Sequence, residues 1–136
     1  MSKTKLIFVY GTLRQGGRLH DRFPDLKFVR RGYLRRYNLR TSSSYPIYPI
    51  AQKVDDREAM VIGDVIEVNE GTLKYLDMME VNSGYRITEE KILKDPDNDK
   101  YDLLQVYVSD KHRVDNWDLL IAEGDWIKFK LNKNNN

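Results

Sequence analysis

The chain of 136 residues contains no cysteine. Disulfide staples, thiolate metal sites and thiol nucleophiles are thereby excluded. Only two histidines occur, His20 and His112, far apart in sequence. A zinc site built mainly from histidines is disfavoured, and a Ser-His-Asp relay has few candidates. Acid–base chemistry therefore falls most naturally to a carboxylate. No apolar run approaches the length of a membrane span. The stretch Leu6–Tyr10 is too short for the core of a signal peptide, and no small-residue cleavage site follows it. The expectation is a cytoplasmic protein.

What is present reads as globular. Apolar residues make up 40% of the chain, and nine Tyr and four Phe are spread along it. The length suits one domain, read as residues 1–131 with a frayed tail over 132–136. The net charge of +2 conceals an asymmetry. Residues 1–50 hold eleven Lys or Arg against two Asp or Glu, whereas residues 51–136 hold twelve against nineteen. Because no linker separates the halves, they are expected to pair within one fold. The alternative is a basic patch for an anionic partner. Arg30, Arg31, Arg35, Arg36 and Arg40, interleaved with Tyr33 and Tyr37, carry that reading. Adjacent arginines on a strand point to opposite faces, so a solvated strand paired with the acidic half is the expectation, and no nucleic acid partner.

Leu6–Tyr10 reads as a buried strand that ends at Gly11. Residues 11–17 hold three glycines and read as loop. Residues 28–40 read as one strand with Gly32 as a possible bulge, and residues 59–68 as another. Thr41–Pro49 is irregular, since Pro46 and Pro49 hold Tyr45 and Tyr48 extended. Asn69 is a candidate N-cap for a helix over 70–80. Residues 85–93 and 103–109 read as strands flanking the polar turn Lys94–Lys100. Ile7, Val9, Val61, Val65, Leu73 and Leu76 are the expected core residues. The order is strand-rich, with one clear helix and no β-α-β alternation. It predicts an α+β fold with a small, curled, mixed or antiparallel sheet, barrel-like, with the 70–80 helix on its open side.

Two places could carry chemistry. After a buried strand, Gly11 permits a turn in which the amides of Gly11, Thr12 and Leu13 converge on an anion. The other reading of the same residues is an ordinary strand-to-loop turn. On the 70–80 helix, Leu73, Leu76 and Glu80 are spaced by three and then four residues and share a face. Glu80 either points inward, desolvated, with a raised pKa, or reaches solvent past the last buried turn. Asp77 lies near the same face, where a hydrogen bond within the fold would occupy it.

Taken in order, Val9-Tyr10-Gly11-Thr12-Leu13-Arg14, Tyr45-Pro46, Gly63-Asp64-Val65, Leu76-Asp77-Met78-Met79-Glu80 with Tyr85-Arg86, Gln105–Val108 and Gly124-Asp125-Trp126 resemble the signature segments of gamma-glutamylcyclotransferase-like proteins. The resemblance spans roughly residues 5–127 and looks closest to the gamma-glutamylaminecyclotransferase branch. It implies a six-stranded barrel flanked by helices. It implies release of 5-oxoproline and a free amine from a small gamma-glutamyl substrate, without cofactor or metal. The backbone of Tyr10, Gly11, Thr12 and Leu13 would hold the glutamyl group, and Glu80 would be the general acid/base. Tyr107 would hydrogen-bond substrate, and Tyr45 and Tyr85 would wall the pocket. One departure stands out: Val81 occupies a position that is often Gly in the family, at the expected rim of the pocket. A non-catalytic metabolite-binding protein with the same pocket is the alternative, and an RNA-associated protein a more distant one.

Overall fold

The computed structural model describes residues 3–44, 48–109 and 116–134. The chain forms β1 (Thr4–Val9), β2 (Lys27–Arg35), β3 (Tyr37–Thr41), β4 (Ile50–Lys53), β5 (Met60–Asn69), α1 (Glu70–Asn82), β6 (Arg86–Leu93), β7 (Tyr101–Val108), β8 (Leu119–Leu120) and α2 (Trp126–Asn134). Five strands close a barrel in the order β1-β5-β2-β6-β7, and β4-β3-β8 make a separate three-stranded sheet. All barrel pairs are antiparallel except the closing one, where Ile7 of β1 pairs parallel to Gln105 of β7. The fold is α+β, as the sequence implies, but the barrel has five strands rather than six. It also has no open side: α1 packs on its outer surface.

A second departure from the expectation lies at Arg36. The 28–40 run is two strands, because Arg36 adopts φ +66° and the chain turns there. Its amide donates to Ala59 and its carbonyl accepts from Val54, so β3 leaves the barrel for the second sheet. The β2–β5 register shift falls between Phe28 and Arg30, not at Gly32. The second helix extends through Asn134, three residues into the segment read as a tail from 132.

The second half of β1, Ile7–Val9, is apolar because both its faces are covered there. Phe8 and Tyr10 point into the barrel among Leu34, Val61, Val65 and Val106. Ile7 and Val9 point outward beneath α1, with Ile66, Val68, Leu73 and Leu76. The six residues expected in the core are all buried. Among the described residues no helix is long and apolar enough to cross a membrane.

Gly63 and Gly32 leave room for the Phe8 ring inside the barrel. A Cβ on Gly63 would stand 2.4 Å from the Val9 carbonyl oxygen and 2.5 Å from the Phe8 ring. The carbonyl belongs to the β1–β5 ladder and cannot yield. Gly63→Ala is therefore expected to lower stability by about 2 kcal/mol or more in urea unfolding. An unchanged midpoint would show that the barrel relaxes at this point.

Candidate active site

A cavity of about 270 Å³ opens between the end of β1 and the C-terminal end of α1. Tyr10, Gly11, Thr12 and Leu13 line it from one side, and Glu80, Tyr85 and Tyr107 from the others. Among the described lining residues Glu80 is the one carboxylate and Arg18 the one cation. Tyr45, expected as a wall, lies outside the described residues, as does His112. Tyr48 and Pro49 do line the cavity, and they repeat the Tyr-Pro pair three residues on. That repetition was the available signal for them. Arg18, Leu19, Met79 and Ser83 also line it without a sequence signal. Val81 is exposed and lies away from the lining.

The loop owes its shape to contacts on both sides. Gly11 is needed for proximity rather than for an unusual φ: a Cβ there would meet the Pro49 ring at 2.9 Å, and the positive-φ glycines are Gly16, Gly84 and Gly124. Arg14 accepts the turn by donating its amide to Gly11. Its guanidinium is buried and donates to Asp64 at 3.3 Å, Asp125 at 2.8 Å and the Ile62 carbonyl at 3.4 Å. Asp64 also accepts from the Gln15 amide at 2.9 Å. The amides of Gly11, Thr12 and Leu13 donate no hydrogen bond among the described residues. His20 Nδ1 donates to the Leu13 carbonyl at 2.8 Å, so that histidine braces the loop.

The helix end sets the opposite wall. Asn69 caps α1 by accepting from the Thr72 amide at 2.9 Å, and Asp25 accepts from Asn69 and Thr72. With Val81 in place of an early glycine, α1 continues to Asn82 and stops where Gly84 takes φ +98°. The Tyr85 amide then bonds the Glu80 carbonyl and the Gly84 amide that of Val81, a Schellman ending. Two cavity residues are thus locked to each other by the helix terminus. Leu73 and Leu76 are buried and Glu80 follows on their face, half-buried. Burial pushes the Glu80 carboxyl up to about 7.

Three phenols complete the surround. Tyr10 donates to the Tyr107 carbonyl at 2.5 Å and accepts from the Ala51 amide at 3.2 Å. Tyr85 donates to the Pro49 carbonyl at 2.7 Å. Tyr107 donates to Asp77 at 2.5 Å, and Asp77 also accepts from Gln105 at 2.7 Å. Burial drives all three phenols far above their ordinary range, and the nearby Glu80 charge adds to it. They stay neutral, so Glu80 is the lining group that changes charge near neutrality.

The arginines of residues 30–40 are engaged elsewhere. Arg30 pairs with Asp102, Arg31 lies 3.6 Å from Asp64, and Arg35 donates to the Pro96 carbonyl at 2.6 Å. The basic half of the sequence thus meets the acidic half inside the fold.

A closed barrel with a glycine-turn loop facing a desolvated glutamate places the molecule among proteins of the gamma-glutamylcyclotransferase fold. The family model described as "Gamma-glutamyl cyclotransferase, AIG2-like" matches residues 7–128, and the chain belongs to that family. A candidate gamma-glutamylcyclotransferase of Methanocaldococcus jannaschii is 34% identical over 58% of this chain and 63% of its own length, so less than two thirds of that relative is spanned. A second candidate, from Pyrococcus horikoshii, is 31% identical over 64% of this chain and 69% of its own. The crystal structure of the Pyrococcus horikoshii protein superposes with a TM-score of 0.67 at 25% identity, covering 96% of each chain. An AIG2-like protein of Mus musculus gives a TM-score of 0.72 at 24% identity over 90% of this chain and 88% of that one, a likeness of fold.

Two outcomes follow from the site's electrostatics. Arg14→Met removes the cation between Asp64 and Asp125, leaving the buried Asp64 with only the Gln15 amide and the more distant, half-exposed Arg31. A loss of about 3 kcal/mol is expected in chemical unfolding, and a loss below about 1 kcal/mol would show that water replaces the guanidinium. Glu80 acts in the other direction. Its folded pKa lies above the ordinary 4.5, so the native state holds the extra proton between about 4.5 and about 7. Stability falls as pH rises through that window and stays reduced above it. Glu80→Gln is therefore expected to be more stable than the parent at pH 8, by on the order of 2 kcal/mol after allowance for partial exposure. The gap should close near pH 4. Urea midpoints at both pH values measure it, and an equal gap at both would refute the raised pKa.

Proposed function

We infer that the chain is a gamma-glutamyl cyclotransferase acting on a small gamma-glutamyl amine or dipeptide, with Glu80 as general acid/base. The observation that carries this reading is the isolation of Glu80: among the described residues it is the one carboxylate in a cavity whose other wall is a loop with three amides that donate no hydrogen bond. In the reaction the substrate's α-amine nitrogen attacks its own γ-carbonyl carbon. The new C–N bond closes a five-membered ring, the old C–N bond breaks, and 5-oxoproline and a free amine leave. The nucleophile comes from the substrate. What the protein supplies is the folded conformation, a place for the oxyanion, and proton transfer.

The amides of Gly11, Thr12 and Leu13 are assigned to the glutamyl carboxylate or to the developing oxyanion. Glu80 takes the proton from the α-ammonium and returns it to the departing amine. A carboxyl with pKa about 7 is matched to both directions of transfer at neutral pH. Tyr107 already donates its proton to Asp77, so toward substrate its oxygen is an acceptor, suited to an ammonium. Tyr85 is held by Pro49 and walls the pocket, and Tyr45 keeps that role as an expectation from the family signature.

The test is turnover of a panel of gamma-glutamyl amines and dipeptides, read as 5-oxoproline by mass spectrometry. For a competent substrate, kcat/KM is expected to rise with pH through about 7 as Glu80 ionises. Glu80→Gln keeps the shape and removes the base, and should lower kcat by about a hundredfold or more, with substrate affinity changed much less. Undiminished 5-oxoproline release by folded Glu80→Gln rejects the assignment. Binding without turnover across the panel favours a metabolite-binding role for the same cavity.

A further inference from the structure

Helix α1 and strand β7 each bring two polar side chains to one place. Asp77 and Glu80 stand one helical turn apart on α1, and Gln105 and Tyr107 are alternate residues of β7, so each pair shares a face of its element. Glu80 and Tyr107 line the active-site cavity, whereas Asp77 and Gln105 do not. Asp77 is half-buried behind Tyr107. One of its oxygens, Oδ1, accepts from both the Tyr107 hydroxyl at 2.5 Å and the Gln105 side-chain amide at 2.7 Å. Both donors are neutral. Among the described residues no Lys or Arg pairs with this carboxylate, so its negative charge is not offset by an ion pair there.

A carboxylate accepts and does not donate, so the direction of the Tyr107 hydrogen bond is fixed. The phenol has one hydrogen, and Asp77 takes it away from the cavity. Tyr107 is also held at its other end, where its carbonyl accepts from the Tyr10 hydroxyl at 2.5 Å. The Glu80 charge acts on the same phenol. A cation between the Tyr107 oxygen and Glu80 therefore meets an acceptor on each side. Without Asp77 the hydroxyl is free to turn its hydrogen into the cavity, where it repels an ammonium.

We propose that Asp77 is a positioning residue for the reaction: acting through Tyr107, it makes an acceptor site for the substrate's α-ammonium opposite Glu80. The proposal rests on the cyclotransferase reading above and deepens it. One N–H of the ammonium donates to the Tyr107 oxygen and another to the Glu80 carboxylate. Glu80 takes the second proton, which leaves a lone pair on nitrogen for the γ-carbonyl. The bond to Tyr107 keeps the amine from turning away, and the proton on Glu80 later goes to the departing amine. Asp77 exchanges no proton with substrate. The site thereby selects gamma-glutamyl compounds with a free α-amine and discriminates against those without one.

The test uses a matched pair, gamma-glutamylbutylamide and N-butylglutaramic acid, which differ only in the α-amine. Calorimetric titration of Glu80→Gln protein measures binding without turnover and removes the Glu80 charge, so the contribution of Tyr107 stands alone. The α-amine compound is expected to bind about tenfold tighter, the scale of a charge-assisted contact. In the same background Asp77→Leu and Tyr107→Phe should each bring the matched-pair ratio close to one, and the two together should do no more than either. A loss of packing alone would weaken both ligands alike and leave their ratio unchanged. Asp77→Asn keeps an oxygen where Tyr107 and Gln105 donate but carries no charge. Its ratio should fall to about threefold, and this near-isosteric variant carries the test if Asp77→Leu does not fold.

A ratio near one in the Glu80→Gln protein overturns the proposal, as does a tenfold ratio that survives both Asp77 variants or Tyr107→Phe. So does a failure of both ligands to bind. If the ratios behave as expected but the parent protein releases no 5-oxoproline from any gamma-glutamyl compound, the ammonium site stands and the cyclisation reading falls. If 5-oxoproline is released but the ratio ignores Asp77, the cyclisation reading stands and the positioning role falls.

Discussion

The buried guanidinium of Arg14 is the contact on which the site depends. An arginine taken out of water is tolerable only when its donors are met. Here they are met by Asp64 on β5, Asp125 at the start of α2 and the Ile62 carbonyl. Two distant parts of the chain, β5 and the start of α2, are thereby fixed to the loop that follows β1. Both aspartates directly follow a glycine that brings backbones into contact. Gly63 presses on Val9, and Gly124, at φ +68°, lies so near Met60 that a Cβ would fall 2.0 Å from its carbonyl oxygen. The three sequence segments around Arg14, Asp64 and Asp125 are one structural unit. Their position in the chain hides this, and the geometry of one ion cluster explains it.

With the loop fixed from behind, the cavity in front of it is a low-dielectric space bounded by neutral phenols. Tyr10 has its donor and an acceptor lone pair both used, on Tyr107 and Ala51. It serves as a cross-brace between β1, β7 and β4 and has little capacity left for a ligand. Tyr107 is different, because its proton goes to Asp77 and its oxygen keeps acceptor capacity. Glu80 alone among the lining groups is left to respond to pH. The helix terminus that bonds Glu80 to Tyr85 makes its position a property of the backbone, less sensitive to side-chain packing.

Much of this was legible in the sequence, and the failures have physical causes. The strand before Gly11, the Asn69 cap and the inward face of Leu73, Leu76 and Glu80 follow from periodicity and capping rules that act over a few residues. The split of residues 28–40 was not legible, because a left-handed arginine has no local signature and Arg36 is held there by Ala59 and Val54. The length of α1 was misjudged by two residues, since the stop signal is Gly84 and not the end of the apolar stripe. The reason for Gly11 was also misplaced: the constraint is Pro49, close in space and 38 positions away by number. Arg18 could not have been found, as nothing about an exposed loop arginine distinguishes it before the cavity is seen beside it.

The parallel seam between β1 and β7 has a consequence for how the molecule is made. Tyr10 and Tyr107, joined across that seam, are 97 positions apart, and the antiparallel partner of β1 is β5. The strand that carries the buried run Ile7–Val9 is therefore the one that waits longest for its neighbours. Non-local pairing of this kind slows folding, because the chain entropy is lost before the contact forms. During that wait an apolar strand with adhesive faces on both sides is exposed to other chains. The same strand delivers the loop to the cavity, so the site is complete only when the last seam has closed.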